Sequence, residues 1–278
     1  MFGKIFKDRV DNGDILPLIG IYDVFSAELA ATKFEAIFCS GYGFSASHYG
    51  LPDEGFLSWT DMVDHVKRIR NVLPEIHMVV DIDDGHGDGK TASHIVRCLE
   101  GVGASAVILE DQRRPKRCGH LPGKEILSIE EYLPKLDAVI SAREELYVIA
   151  RTDASNIDEA IMRVNKYAEV GADGVLIEGI SDIETIYKIR ASIKSEVSLT
   201  INLIAGGKTP KVSRNNLKNM GVNIVNYSTP CLFAAHEAID SVLSVLSDDT
   251  GLINEKVTLT ENNSFLTKKL SDINKSYF

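Results

Sequence analysis

The chain has 278 residues, 44% of them hydrophobic and 25% charged, with a formal net charge of -10 and a sequence pI near 5.2. That composition excludes a disordered chain and suits one large α/β unit, while the acidity sets the long-range field against nucleic acid and anionic lipid. Cys39, Cys98, Cys118 and Cys231 are scattered and form no C-x-x-C pair, so reduced thiols are expected rather than a disulfide scaffold or structural zinc. The opening MFGKIFKDRVDNGD lacks a signal-peptide core and no run of about 18 apolar residues follows, so a cytoplasmic protein with no membrane or nucleic-acid partner is expected.

Eight apolar, β-branched runs recur in chain order: LPLIGIY at 16–22, AIFCSGY at 36–42, HMVVDID at 77–83, AVILED at 106–111, LYVIARTD at 146–153, GVLIEG at 174–179, LTINLI at 199–204 and IVNYS at 224–228. Continuous apolar runs belong to strands covered on both faces, as in a helix-wrapped parallel sheet. Amphipathic stretches such as TDMVDHVKRIRNVL and SIEEYLPKLDAVISAREE lie between them. The regular alternation predicts a (β/α)8 TIM barrel over 1–250, favoured over an open doubly wound sheet. GVGAS and VGAD each place a Gly where a helix ends and a turn feeds the next strand. The polar segment 251–278, with scattered apolar positions, reads as a C-terminal helical tail packing on its own or a partner subunit.

In such a barrel the active site lies at the carboxyl ends of the strands. Asp81 and Asp83 end the third run, two residues apart and so on one face of an extended strand, and Glu110 ends the neighbouring run at the same height. Three acids on adjacent strands suit Mg²⁺ or Mn²⁺ that keeps several waters and takes substrate oxygens; the plainer reading is helix capping or pairing with Lys or Arg. The fifth run ends on Arg151, suited to capturing a carboxylate or, alternatively, to a salt bridge with Asp153 or Glu178. Glu178 and Asn202 end the sixth and seventh runs and could orient substrate or water. Ser40-Gly41-Tyr42-Gly43 supplies small residues whose backbone N–H groups can approach an anionic oxygen.

After the fourth run comes a long basic loop, Gln112 to Lys124, containing Lys116-Arg117-Cys118-Gly119-His120. Cationic neighbours are expected to depress the pKa of Cys118 and make it a proton donor or nucleophile, against the alternative of an inert small residue. Gly85-His86-Gly87-Asp88-Gly89-Lys90-Thr91 imitates the end of a P-loop, but Asp84 stands where its first Gly belongs, and a carboxylate there repels phosphate.

SGYGFSASHYGLPD, DIDDGHGD, LEDQRRPKRCGH, ARTDA and NLIAGGKTP, in this order over about 16–245, resemble the isocitrate lyase and phosphoenolpyruvate mutase superfamily. The K-R-C-G-H loop is similar to that of its carbon-carbon lyases, which cleave 2-methylisocitrate, dimethylmalate or oxaloacetate. The resemblance implies Mg²⁺ among Asp81, Asp83, Glu110 and Asp53, with Asp81 or Asp83 as the direct ligand. It implies further that Arg151 clamps a substrate carboxylate, that Cys118 is the acid or base on a gating loop with Gly119 and His120, and that Tyr42, Glu178 and Asn202 line the substrate. A homotetramer (or dimer) exchanging its last helices is implied as well. Three positions depart from the commoner pattern: Asp84 where Thr is usual, His86 where Tyr or Phe is frequent, and Ala205 where many members carry Glu.

The expected activity is therefore Mg-dependent cleavage of a 2-hydroxy (methyl)di- or tricarboxylate to a 2-oxoacid, pyruvate or glyoxylate, and a carboxylate, through a stabilised enolate. A phosphonomutase of the carboxyphosphonoenolpyruvate or phosphoenolpyruvate type and an oxaloacetate hydrolase are the alternatives on the same scaffold. A barrel that binds without catalysis is disfavoured by the joint presence of Asp81, Asp83, Glu110, Cys118 and Arg151.

Overall fold

The eight apolar runs become eight parallel strands: β1 (Leu16–Ile21), β2 (Ala36–Cys39), β3 (His77–Asp81), β4 (Ala106–Glu110), β5 (Tyr147–Thr152), β6 (Gly174–Ile177), β7 (Ser198–Leu203) and β8 (Ile224–Tyr227). Each pairs with the next and β8 pairs with β1, closing the (β/α)8 barrel expected from the sequence. The computed structural model describes residues 1–247 and 256–276, and the side chains of 268–276 are outside that description. The helices are α1 (Phe2–Asn12), α2 (Val24–Ala31), α3 (Gly41–Phe44, followed by a π-helical turn at Ser45–Tyr49), α4 (Trp59–Val72), α5 (Gly89–Gly101), α6 (Ile129–Ala142), α7 (Ile157–Val170), α8 (Ile183–Ser192), α9 (Arg214–Asn219), α10 (Pro230–Ser247) and α11 (Leu259–Ser276).

Side chains of a strand alternate in direction, so two apolar layers form. Leu16, Leu18, Phe38, Val79, Ile108, Ile149, Leu176 and Ile224 fill the inside of the barrel. The intervening residues, among them Ile19, Ile37, Val80, Val107, Val148, Val175 and Ile201, pack with the helices outside. Helix α1 closes the amino end: Phe6 and Val10 belong to the inner layer, and the Phe6 ring meets Tyr147 edge-on at 5.2 Å and His77 at 5.5 Å.

The helix termini follow the sequence signals. Ser58 with Asp61 and Ser128 with Glu131 form capping boxes at the starts of α4 and α6. Gly171 ends α7 at φ +114, and Gly103 sits at φ +90 after α5, the left-handed positions that the VGAD and GVGAS repeats require. The P-loop imitation fails for a second reason, since the Asp88 carboxylate already accepts from Thr91 N–H at the start of α5.

The chain divides into two compact units, Met1–Leu232 and Phe233–Phe278. The first contains all eight strands; the second holds most of α10 and all of α11. The boundary expected at 250/251 lies outside the described residues. No helix among the described residues is long and apolar enough to cross a membrane.

Phe6 is fully buried, so Phe6→Ala removes a floor side chain that its neighbours cannot replace. Urea unfolding is expected to show a loss of about 3–5 kcal/mol, with closed-barrel circular dichroism retained at low denaturant.

Candidate active site

The inner parity of the strands, followed toward the carboxyl end, changes from apolar to polar at one level. Val79 leads to Asp81, Ile108 to Glu110, Ile149 to Arg151, Leu176 to Glu178 and Ile224 to Asn226 and then Ser228, while the inner face of β7 is polar already at Ser198 and Thr200 before Asn202. The strand pattern thus aims these side chains into one mouth. Asp111 has the opposite parity and faces the helices, where it accepts from Thr152 Oγ1 at 2.6 Å, Tyr167 OH at 2.7 Å and Arg163 Nη1 at 3.2 Å.

Asp83 reaches the mouth by another route than the one expected. Strand β3 ends at Asp81, and Asp83 lies in a turn with φ +48, closed by Gly85 N–H donating to Ile82 O at 2.8 Å. The two acids still converge: a Cβ at Gly41 would lie 3.1 Å from Asp81 Oδ2 and 3.6 Å from Asp83 Oδ1. A left-handed turn therefore does what the strand pleat was expected to do, in a conformation that Asp tolerates better than most non-glycine residues. The Gly41 N–H faces Asp81 Oδ2 at 3.4 Å, so its anionic partner is a carboxylate of the protein, and Ser40 accepts from Gly43 N–H at 3.2 Å.

Lys116 is the cation that sequence reasoning misplaced. Its buried ammonium lies 2.6 Å from Asp53 Oδ1 and 2.5 Å from Asp83 Oδ1, turned into the acids. Burial alone would lower its pKa, but Asp83 and Asp53 more than reverse this and keep it charged. Burial raises the Asp83 carboxyl too, yet Lys116 outweighs it and holds it below the usual range. Asp81 is pushed up to about 6 by burial and then by Asp83. Burial also carries Glu110 well above its ordinary value, and its Oε1 has no hydrogen-bond partner.

Arg151 is held by three carboxylates: Glu110 Oε2 at 3.1 Å from Nη1, Asp153 Oδ2 at 3.0 Å from Nε and Glu178 Oε2 at 3.5 Å from Nε. The salt-bridge alternative for Arg151 is therefore realised. Lys124 adds a further link, donating to Asp153 Oδ1 at 2.7 Å and to Gly119 O at 2.5 Å. Although burial pushes the Asp153 carboxyl up, Arg151 and Lys124 prevail and bring it to about 2.

Six carboxylates, Asp53, Asp81, Asp83, Glu110, Asp153 and Glu178, thus share the mouth with the basic side chains of Lys116, Lys124 and Arg151. Among the described residues no three His, Cys, Asp or Glu side chains form a finished metal cage. The under-satisfied oxygens of Asp81 and Glu110 and the surplus of negative charge nevertheless fit a hard dication that keeps part of its water. Of the four expected donors, Asp53 and Asp83 are engaged by Lys116, and Asp81 and Glu110 keep the free capacity.

The basic loop after β4 is seated in the mouth. Gln112 accepts from Arg117 N–H at 2.9 Å and donates to Arg117 O at 2.9 Å, closing the base of the segment. Gly119 lies against Arg151, Glu178 and Asp153 so tightly that a Cβ would overlap all three. His120 places Nε2 2.7 Å from Glu178 Oε1, while its Nδ1 accepts from Lys208 N–H at 2.9 Å. That acceptor role puts the proton of the neutral ring on Nε2, which lies close to Glu178 Oε1 without hydrogen-bond alignment.

Glu178 also accepts both Asn202 Nδ2 bonds at 3.1 Å, and Asn202 Oδ1 accepts from Ser228 Oγ at 2.5 Å and from Asn226 Nδ2 at 3.3 Å. Burial raises the Glu178 carboxyl, but Arg151 and His120 outweigh it and hold it below its usual range. Asn226 and Ser228 were absent from the expected site, although strand parity in IVNYS would have found them.

The thiol requires a correction. Cys118 has its pKa raised, not depressed: burial dominates, Asp53 and Glu178 reinforce it, and only the His120 N–H bond and Arg151 oppose it. Its sequence neighbours do not serve it, because Lys116 turns to Asp53 and Asp83 and His120 to Glu178. Tyr42 lies within the same field, its hydroxyl pKa raised by burial and then by Cys118 and Asp53. Ala205 lines a separate cavity of about 420 Å³ with Leu203, Thr209, Lys211 and Tyr227 that none of the six carboxylates lines.

Two outcomes are expected. Gly119→Ala cannot seat the loop, so hydrogen exchange of 116–124 rises while the strands stay protected. Iodoacetamide modification of Cys118 in the native protein requires pH above the ordinary thiol range of about 8.5, because the thiol stays protonated until pH exceeds its raised pKa. Rapid labelling at pH 7 that spares the other cysteines would contradict the second.

The family described as phosphoenolpyruvate phosphomutase matches residues 6–246. The chain is 34% identical over 268 residues to 2,3-dimethylmalate lyase of Eubacterium barkeri, spanning 93% of this chain and 92% of that protein. An oxaloacetate acetylhydrolase structure superposes with a TM-score of 0.93 at 28% identity, covering 99% of this chain and 97% of the other. A phosphonopyruvate hydrolase complexed with oxalate and Mg²⁺ superposes with a TM-score of 0.85 at 25% identity over 100% and 97% of the two chains. With the barrel matched from floor to mouth, the chain belongs to the phosphoenolpyruvate phosphomutase family and is an enzyme of the isocitrate lyase and phosphoenolpyruvate mutase superfamily.

Proposed function

We propose that this enzyme is a Mg²⁺-dependent carbon-carbon lyase that cleaves a 2-hydroxy di- or tricarboxylate, methylated or not, into a 2-oxoacid and a carboxylate. The observation that carries the reading is Cys118, a protonated thiol on a seated loop, within the electrostatic reach of Arg151, Asp53 and Glu178. Such a group can hand a proton to a carbanion and gives little thiolate for nucleophilic attack.

In the proposed reaction the bond between the hydroxyl-bearing carbon and its neighbour breaks. The hydroxyl proton leaves to the carboxylate cluster, the carbinol carbon becomes the oxoacid carbonyl, and the bonding pair remains on the departing carbon. Cys118 Sγ gives that carbon a proton and is reprotonated from solvent when the loop opens. Arg151 supplies fixed positive charge at the oxoacid carboxylate, while the Asn202–Glu178–His120 chain holds the loop against the mouth. Asp81, Asp83, Glu110 and Asp53 would hold Mg²⁺ or Mn²⁺, which supplies Lewis-acid stabilisation of negative charge on the oxoacid oxygen.

Helix α10 has no buried side chain, and Ile239, Val242, Leu243, Val245 and Leu246 are exposed on it. We propose that a second copy covers them, giving the homotetramer or dimer, to be checked by light scattering.

The test offers the purified protein and Mg²⁺ a panel of 2-hydroxy di- and tricarboxylates plus oxaloacetate, with oxoacid or oxalate release as readout. Cleavage is expected with at least one hydroxyacid. Cys118→Ala and Cys118→Ser are expected to abolish it, a loss of about 100-fold or more, with Mg²⁺ binding by calorimetry retained. Undiminished turnover in both variants would remove the thiol from the chemistry. Turnover of oxaloacetate alone would make the enzyme a hydrolase, and a silent panel with a phosphonate signal by phosphorus NMR would make it a mutase.

A further inference from the structure

Asp84 directly follows the expected metal donor Asp83 in the β3 turn, and neither the metal donors nor the thiol account for it. Asp84 is only 3% exposed. Its carboxylate is gripped by a single guanidinium, with Arg114 Nη2 2.7 Å from Oδ1 and Nε donating to Oδ2 at 3.1 Å. The acid cannot swing away, because His86 N–H donates to Oδ1 at 3.2 Å and Lys135 Nζ donates to the Asp84 carbonyl at 2.9 Å from α6. Two parallel charge-assisted bonds fix direction as well as distance.

Arg114 lies two residues before Lys116, and Asp84 directly follows Asp83. Consecutive acids of the β3 turn therefore hold alternate residues of the basic loop, Asp84 through Arg114 and Asp83 through Lys116. The Asp53 segment is drawn into the same contact: a Cβ at Gly55 would lie 3.1 Å from Arg114 Nη1 and 3.4 Å from Lys116 Cγ. The Arg114 side chain remains 35% exposed, at the outer lip of the loop, whereas Lys116 is buried beneath it.

We infer that the Asp84–Arg114 pair is a latch: a positioning contact that holds the loop closed and thereby sets Lys116 against the acid cluster and Cys118 in the mouth. Neither residue touches the reacting atoms in this assignment. Opening the loop separates the pair and leaves a buried carboxylate without its counterion, a loss that a surface ion pair does not incur.

Native-state hydrogen exchange of the full-length protein without substrate reads the latch directly, independently of which reaction the site performs. In Arg114→Ala, amides of 116–124 are expected to exchange roughly three to ten times faster, while those of β3 and α4 keep their rates. Asp84→Asn, nearly isosteric and still able to accept from His86, is expected to match it. Arg114→Lys should recover part of the protection, because charge is kept and the fork is lost. The double variant should be no worse than either single one, as for two halves of one contact. Unchanged exchange of 116–124 in Arg114→Ala, or additive single effects in the double variant, would overturn the assignment.

Discussion

Burial of like charge governs the mouth of this barrel. Carboxylates at the ends of β3, β4 and β6 and in the flanking turns are withdrawn from water, and burial pushes each upward; the cations overcome this at Asp83, Asp153 and Glu178 but not at Asp53, Asp81 or Glu110. Arg151, on the barrel wall, answers Glu110, Asp153 and Glu178. The other two cations, Lys116 and Lys124, belong to the loop. The same loop thus places Lys116 on Asp53 and Asp83 and Gly119 on Arg151 and Glu178.

The strands and most of the wall were legible in the sequence because both depend on local pattern. Eight apolar runs gave eight strands, and Asp81, Glu110, Arg151, Glu178 and Asn202 were found because each closes or follows a run at the barrel's active end. Asn226 and Ser228 obey the same alternation in the eighth run, whose end the expected site did not include. Asp53 is different in kind. It lies in the connection between the π-helical turn and α4, where no periodicity aims a side chain, and only the family resemblance pointed to it.

The loop was legible in composition and not in direction. Adjacency suggested that Lys116, Arg117 and His120 would surround Cys118 and lower its pKa. In three dimensions a salt bridge to a buried acid outcompetes a neighbouring thiol for an ammonium, so Lys116 goes to Asp53 and Asp83, His120 goes to Glu178, and the thiol is left with desolvation as its main influence. Asp83 shows the converse. Its convergence with Asp81 was anticipated from a strand pleat and arises from a left-handed turn, which sequence spacing alone does not reveal.

The raised thiol also bears on why a cysteine suits the proposed proton transfer. A carboxylic acid in this position would join a cluster already carrying surplus negative charge, and at neutral pH it would either ionise beside Arg151 or stay protonated only through further desolvation. A thiol begins near 8.5, and burial and the nearby acids move it upward, so the same field that threatens a carboxyl donor keeps Cys118 protonated. A carbanion is basic enough to take that proton, whereas the ionised carboxylates around it are not. Acid strength, burial and loop position in this arrangement are consequences of a single packing of Lys116–His120 against the barrel.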